Sequence, residues 1–490
     1  MSNSTFEIPP EVSRITKKLE ENGFEAYLIG GCVRDLFLGK KPKDWDITTN
    51  AKPDDIVSLF ENTFYENEFG TVGVVNETDD QTLKVIEVTP YRTEGKYTDR
   101  RRPDNVSFDA TLEDDLKRRD FTINAIALNS EKNIVVDPFL GRKDIQDGLI
   151  RTVGNPNDRF EEDGLRLIRA IRIYSELGFY VEKETLNAIE GTSYLLKNIA
   201  KERIRDEFIK IIESPNPMNG LILAQKTGVL KYIIPELQDA VGIEQNKAHA
   251  YDVWTHLQKT LQHSADKKLP LHVRLAALFH DISKPAARRR SENGEDWTFY
   301  GHDVLGAKIT EKILEDLKFP RDTINKVAKL VRWHMFFSDT EKITLSAVRR
   351  LVANVGEQNV WDLMDLRACD RVGTGRPKEH PYRLRKYKAM VEEVMRDPVT
   401  VGMLKINGDK IMKITSLPAG PKIGFILHAL LEEVLEKPDL NTEEELIKIT
   451  KKLGLLSDDE LKKIGEAGKR KREEEEEKVI KEIRGKYWVK

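Results

Sequence analysis

The sequence predicts an α+β protein: a sheet-containing first part over residues 1–150, then mostly helices. Three observations carry this. Short apolar or alternating runs bounded by Gly, Pro and Asp crowd into the first hundred residues, at Ala26 to Ile29, Asp44 to Ile47, Phe69 to Val75 and Leu83 to Val88. Helical apolar spacing takes over later, first at Leu165, Ile168 and Ile171 and then at Phe208, Ile211 and Ile212. All nine histidines lie at or after His249. Chemistry in the first part therefore rests on carboxylates and arginines, whereas the second part can build imidazole metal sites.

A length of 490 residues suggests about three domains. The patterning divides the chain into segments 1–150, 151–245, 246–375 and 376–490. Net charge is −3, so any nucleic-acid-binding face must be local. Two distant cysteines, Cys32 and Cys369, exclude a disulfide framework or a Cys-based zinc site and fit a reducing cytoplasm. Met1 to Pro10 lacks a signal-peptide pattern, and the apolar run Ile423 to Leu431 is too short to span a bilayer. No membrane association is expected.

Taken in order, Val12, Ile15 and Leu19 place a first amphipathic helix over residues 11–22. An apolar strand then ends at Gly30-Gly31, and a helix begins with Val33-Arg34-Asp35. Such a turn lets the backbone approach a phosphate closely and presents free N–H groups. Asp44 and Asp46 follow. On a strand, i and i+2 share a face, and two adjacent carboxylates suit Mg²⁺ with substrate phosphates completing its shell. Pro53 opens a helix over 53–60. Glu87 lies in the apolar run Val85 to Thr89, where a carboxylate is costly without a partner, which makes it the natural third ligand; the alternative is an edge-strand Glu facing solvent. The basic stretch Arg92 to Pro103, rich in arginine and containing Tyr97, suits a phosphate-contacting loop.

Arg118, Arg119, Asp120, Thr122 and Asn124 lead into another helix start, and arginine forks match phosphate and ribose oxygens. In Glu162 to Arg172, the apolar residues repeat every third position, as do Arg166, Arg169 and Arg172. A helix would carry Asp163 and the three arginines on one face. Asp163 offers an acceptor and Arg166 a donor one turn apart. Cytosine and adenine both present an amine beside a ring-nitrogen acceptor, whereas uracil and guanine present the reverse. One Asp/Arg pair can therefore accept C and A and reject U and G, because a mismatch leaves buried polar groups unpaired. Glu202 to Glu207 opens a further helix whose ion pairs would steady the arginine helix.

In the second half, His256, His280-Asp281, His302, His334 and Asp370 can surround a divalent transition metal with mixed nitrogen and oxygen ligands. Pro381 to Lys388 interleaves basic and aromatic residues and suits either a phosphate-binding surface or a solvated helix face. Lys469 to Arg472 and Glu473 to Glu477 form a low-complexity charged helix, with Tyr487 and Trp488 beyond it.

Gly30-Gly31-x-x-Arg34-Asp35, Asp44-x-Asp46, Arg118-Arg119-Asp120-Phe121-Thr122-x-Asn124-Ala125 and Glu162-Asp163-x-x-Arg166, in this order, resemble bacterial class II tRNA nucleotidyltransferases, the CCA-adding enzymes and related poly(A) polymerases. The resemblance covers at least residues 20–215. It implies a polymerase-β-like head built on a mixed sheet, a helical neck that reads the base, and helical domains for tRNA. It also implies that Asp44 and Asp46 hold Mg²⁺, that Arg119, Asp120 and Asn124 contact triphosphate and ribose, and that Asp163 and Arg166 read the base. Arg169 would hold phosphates and Arg172 would orient the reader. tRNA, CTP and ATP are the implied partners.

The later histidines resemble the HD phosphohydrolase superfamily, with His256, His280, Asp281 and Asp370 as first-metal ligands and His302 and His334 as second-site ligands. Ser283 stands where that family usually has glycine. The Arg92 to Pro103 loop is full-length, which favours complete CCA addition. Poly(A) polymerase, partial CC or A addition, and an HD phosphohydrolase acting on phosphate ends are the alternatives.

Overall fold

The computed structural model describes residues 6–66, 70–94, 106–245, 250–291, 296–336, 343–397 and 399–465. Most of the Arg92 to Pro103 loop and the charged run from Lys469 onward lie outside them. The chain forms two compact units, Met1–Gln238 and Asp239–Lys490.

The first unit is built on a seven-stranded mixed sheet. Its spatial order is Thr63–Tyr65, Val72–Val75, Val85–Pro90, Asp46–Thr49, Ala26–Ile29, Ala127–Asn129 and Ile134–Val136. Asp46–Thr49 and Val85–Pro90 run parallel, while the other neighbours in this sheet are antiparallel. Helix Pro10–Glu21 buries Val12, Ile15 and Leu19, the apolar spacing read from the sequence. Three strands carried no clear alternation: Thr63–Tyr65, Ala127–Asn129 and Ile134–Val136 are three residues each, too short to show a period of two. Thr93–Glu94, expected as loop, pairs antiparallel with Val106–Ser107.

Seven α-helices and one 3-10 helix follow the sheet, from Pro156–Glu162 to Pro235–Gln238. Helix Leu165–Leu177 lies against Lys201–Glu213 and buries Leu165, Ile168 and Ile171. The helix starts later than expected. Asp163 is extended (φ −142°, ψ 105°) and sits in the break between two helices, with Gly164 capping the second.

The second unit is almost entirely helical. Helices Val253–Asp266, Leu271–Phe279, His302–Asp316, Arg321–Trp333 and Glu357–Gly373 surround a buried polar centre. Gly373 permits the closest approach here, since a Cβ at that position would lie 2.0 Å from Thr260 Oγ1. In helix Tyr382–Val394, Tyr387 is buried against Phe336 rather than offered for stacking, which corrects that part of the basic-aromatic reading. The last helices, Gly408–Thr415, Pro421–Glu436, Glu443–Leu453 and Asp458–Gly465, share an apolar cluster centred on Ile426, Leu430 and Leu446. No helix among the described residues is long and apolar enough to cross a membrane.

Candidate functional site

The first site forms where the Ala26–Ile29 strand ends. Gly30 adopts φ 79° and ψ −137°, a conformation open in practice only to glycine, and helix Gly31–Phe37 starts directly after it. A Cβ at Gly30 would lie 3.2 Å from Asp46 Oδ2 and 3.4 Å from an Arg119 nitrogen. One at Gly31 would lie 3.8 Å from Asp44 Oδ1. The turn and both aspartates therefore converge.

Sheet register completes the set. Asp46 opens its strand, opposite Ile29 on one side and Glu87 on the other. Asp44 lies in a bend before the strand, not on it, so the loop rather than strand periodicity brings it alongside. Glu87 is also placed differently from the expectation. Ile86, Val88 and Pro90 are buried while Val85 and Glu87 are exposed, so Glu87 stands on the open face of an interior strand. Its surroundings still raise its carboxyl, burial first and then the Glu66 and Asp44 charges. Burial, then the Glu87 and Asp44 charges, push the Asp46 carboxyl up to about 7 against the pull of Arg119 and Arg169. Three carboxylates under mutual repulsion fit a divalent cation.

A buried chain of contacts ties this turn to the helical layer. Arg34 donates from Nε to Asp35 (2.9 Å) and from Nη1 to Asn124 Oδ1 (3.0 Å). Asn124 donates to Asp120 Oδ1 (3.1 Å), which also accepts from the Phe121 backbone N–H. Arg169 pairs with Asp120 Oδ2 at 2.6 Å. Burial alone would raise Asp120, but Arg169, Asn124 and Arg166 outweigh it and hold its carboxyl well below the usual range. Glu207 continues the chain, pairing with Arg172 at 2.7 Å and lying 4.0 Å from Arg169. Arg34, Asp120 and Asn124 are thus buried and mutually engaged, whereas Asp44 and Glu87 are exposed and Arg169 is partly so.

Asp163 and Arg166 are not paired with each other through their side chains. Arg203 takes the Asp163 carboxylate in a fork, at 2.6 and 3.3 Å, and the Leu165 N–H adds a third bond. Arg166 donates to Glu162 (2.5 Å) and to the carbonyls of Arg159 and Arg118 (3.0 Å each). Each member is oriented by its own partners. Glu207 and Arg203 belong to the segment whose ion pairs are expected to steady the arginine helix, whereas sequence reasoning gives Asp115 no role. Asp115 is fully buried, bonds Arg118 (2.9 Å) and Arg119 (3.2 Å), and accepts from Thr48. Its signal was the i+3 and i+4 spacing to two arginines.

The second site gathers all six residues expected there. His256, His280 and Asp370 form one group, and Asp281, His302 and His334 another, all buried. His256 Nε2 lies 2.9 Å from His280 Nε2, 3.2 Å from Asp281 and 3.3 Å from Asp370. Asp281 Oδ1 faces His302 Nε2 (3.2 Å) and His334 Nε2 (3.5 Å). The Nδ1 atoms of His280, His302 and His334 meet the carbonyls of Ala277, Phe299 and Val331 at 3.0, 2.6 and 2.7 Å. A carbonyl only accepts, so Nδ1 carries the proton and Nε2 is turned inward as a ligand atom. The inward Nε2 atoms of His302 and His334 make no hydrogen bond.

Burial first, then His280 and His302, lower His334 to about 4, which keeps it neutral. Burial pulls His280 down, but Asp281 and Asp370 together hold it up at about 10; a bound divalent ion replaces that proton. The donor set fits metal ions. Ser283 needs no glycine conformation (φ −88°, ψ −2°) and donates to the His302 carbonyl at 2.6 Å. Lys284, a residue given no role from sequence, is buried with Nζ 2.6 Å from Asp281.

Three family models match the chain: the poly A polymerase head domain over residues 26–151, the probable RNA and SrmB-binding site of polymerase A over 178–241, and the HD domain over 248–373. The CCA-adding enzyme of Geobacillus thermodenitrificans is 33% identical over 440 residues, covering 88% of this chain and 94% of the relative. The Bacillus stearothermophilus CCA-adding enzyme, solved in complex with CTP, superposes with a TM-score of 0.68 at 28% identity, covering 91% of this chain and 98% of the other. The Thermotoga maritima enzyme complexed with tRNA shares the fold at a TM-score of 0.53 and 20% identity, covering 90% and 95%. With a poly A polymerase head, an RNA-binding segment and an HD domain in one chain, the protein belongs to the family of CCA-adding enzymes.

Proposed function

We propose that the chain adds C, C and A in turn to the 3′ end of tRNA from CTP and ATP, without a template. The carrying observation is the single contact chain from the Gly30 turn through Arg34, Asn124 and Asp120 to Arg169, which couples a carboxylate centre to the helix bearing the arginines. In this reading Asp44, Asp46 and Glu87 hold Mg²⁺, which when bound neutralises the triphosphate and lowers the barrier to loss of the 3′-hydroxyl proton. The 3′-oxygen attacks the α-phosphorus, the bond to the bridging oxygen breaks, and pyrophosphate leaves.

Gly30 and Gly31 let the phosphates approach the backbone, and Arg119 and Arg169 supply positive charge beside them. Arg34, Asp120 and Asn124 act mainly by holding those groups in place, because their own hydrogen bonds are made within the protein. Arg203 holds the Asp163 carboxylate in place as an acceptor. Arg166 supplies the donor, and Glu207 orients Arg172. Two buried free thiols suit a cytoplasmic setting.

Stepwise incorporation on tRNA ending before CCA tests the assignment. C, C and A should enter and synthesis should stop, with UTP and GTP refused. Long A tails without C would move the protein to the poly(A) polymerases, and a halt after CC to the partial enzymes.

The six buried ligands support a second activity. The Asp239–Lys490 unit would hydrolyse a phosphate ester: a water oxygen attacks phosphorus, the ester bond breaks, and the leaving oxygen takes the proton. A bound transition metal would supply charge to that phosphate. Asp281→Ala should abolish phosphate release and spare nucleotide addition, while Asp46→Ala should do the reverse.

A further inference from the structure

Asp115 is fully buried beside the head site, yet it belongs neither to the three carboxylates nor to the groups that meet the triphosphate. It lies in helix Leu112–Lys117, whose Leu116 shares an apolar cluster with Ile29 and Ala127 of the sheet. Its two oxygens have different partners. Oδ1 accepts from Arg118 Nε at 2.9 Å, and Oδ2 accepts from Arg119 Nη2 at 3.2 Å. Thr48 Oγ1, 3.3 Å from Oδ2, shares its single proton with the Thr89 carbonyl at 3.2 Å. Thr48 stands two residues beyond Asp46 on one strand, so Asp115 is fastened to the face that carries Asp46. Burial works against the Asp115 charge, but Arg119 and Arg118 outweigh it and hold the carboxyl below its usual range.

Arg119 is flanked by two carboxylates, Asp115 and Asp46. The point that a Cβ at Gly30 would occupy lies 3.4 Å from Arg119 Nη1 and 3.2 Å from Asp46 Oδ2. Among the described residues, Arg119 nonetheless pairs with Asp115 and not with Asp46. Arg119 Nε is buried and makes no hydrogen bond, so the guanidinium keeps donor capacity for a ligand. A guanidinium this near a carboxylate closes onto it unless another negative charge holds it back. An arginine closed onto Asp46 would cover an oxygen that a divalent ion needs and turn away the donors that phosphates need.

We propose that Asp115 is a positioning residue for nucleotide addition: it restrains Arg119 from closing onto Asp46, which keeps that carboxylate open to a divalent cation and the guanidinium open to the triphosphate. The proposal rests on the nucleotidyltransferase reading of the head. Asp115 itself touches neither nucleotide nor metal and acts only through Arg119.

The full chain in EDTA is titrated with radiolabelled CTP by equilibrium dialysis. Asp115→Asn keeps the shape and removes the charge. It should bind CTP about tenfold more weakly than wild type, the scale of one lost charge-assisted hydrogen bond. Arg119→Ala should lose about as much, and Asp115→Asn/Arg119→Ala no more than Arg119→Ala alone. Unchanged or tighter binding by Asp115→Asn overturns the restraint, as do losses that add in the double variant. Thr48→Val keeps the charge and unfastens Oδ2, so it should fall between wild type and Asp115→Asn. If Asp115→Asn does not fold, unchanged CTP binding by Thr48→Val overturns the restraint on its own.

Addition of C to tRNA ending before CCA is then followed against Mg²⁺ concentration. In Asp115→Asn the half-saturating Mg²⁺ should rise about fivefold, the strength of a partly exposed ion pair that the ion must displace, and saturating Mg²⁺ should bring the rate to within about threefold of wild type. Arg119→Ala and the double variant leave nothing to displace and should show no rise. A rate that stays low at every Mg²⁺ concentration marks Asp115 as structural support and overturns the proposal. Wild type that binds CTP but extends no tRNA removes the nucleotidyltransferase reading, and the binding cycle in EDTA then decides the restraint by itself.

Discussion

At the scale of single residues, Asp46 shows what gathering three carboxylates does to the one that is buried. Its carboxyl titrates near 7, well above the ordinary carboxylate value near 4, because burial and two neighbouring carboxylates oppose its charge. The folded protein therefore holds more protons than the unfolded chain between about pH 4 and pH 7, and the stability tied to this group falls as pH rises through that window. Asp46→Asn removes the charge without changing the shape. The expected result is a metal-free protein at least as stable as wild type at pH 8, no stabilisation by Mg²⁺, and nucleotide addition down by about 10³-fold or more, the scale of losing preorganised charge at a transition state. Thermal melts with and without Mg²⁺ at pH 5.5 and 8 check this. A Mg²⁺ shift in wild type that is no larger at pH 8 than at pH 5.5 would refute the assignment.

Base reading is equally local. If Asp163 is useful only while Arg203 holds it, Arg203→Ala should preserve the helix and lose selectivity. The ratio of kcat/KM for CTP over UTP should drop by about 10- to 100-fold, the range for one misplaced hydrogen-bonding group. An unchanged ratio would leave Arg203 a purely structural partner.

At the scale of elements, what could be read from the chain was what leaves a repeating or chemical mark. The apolar spacing of Leu165, Ile168 and Ile171 gave a helix, and the adjacent His280-Asp281 with outlying His256 and Asp370 gave a buried centre. Three kinds of information left no such mark. Asp44 reaches Asp46 through a bend, and no periodicity encodes a bend. Glu87 looked buried because its neighbours are apolar, yet alternation turns it to the open face. Asp163 looked helical by spacing, but the Gly164 cap breaks the helix there and frees the carboxylate for Arg203. Close packing is likewise invisible in sequence. Helices Val253–Asp266 and Glu357–Gly373 touch at Gly373, where an added methyl would meet Thr260 Oγ1 at 2.0 Å and the His256 carbonyl at 3.1 Å. Gly373→Ala should cost about 1–3 kcal/mol, as overpacked interiors do, and should spread His256 from Asp370. Adding Thr260→Ala should restore part of that loss in urea denaturation. Additive losses in the double variant would mean that the two residues do not collide.

At the scale of the whole molecule, one chain carries two compact units, each with its own set of donor atoms. The head offers three carboxylates, Glu87 on the sheet face, Asp46 at a strand start and Asp44 in the bend before it, a hard-oxygen set that suits Mg²⁺ with substrate phosphates and binds it weakly alone. The HD unit offers four imidazoles and two carboxylates, all buried, a set that takes transition metals far more tightly. A ligand at a thousand times its dissociation constant adds about 4 kcal/mol to the unit that binds it, and for a unit of this size that raises the midpoint by about 10 °C. Calorimetry on EDTA-treated protein should show two unfolding transitions. Micromolar Mn²⁺ or Ni²⁺ should move one of them by about that amount and leave the other where it was. Asp281→Ala should lose the shift and still add nucleotides in millimolar Mg²⁺, whereas Asp46→Asn should keep the shift and lose nucleotide addition. A transition-metal shift that survives Asp281→Ala but disappears in Asp46→Asn would place the tight site in the head and undo the division of chemistry between the two units.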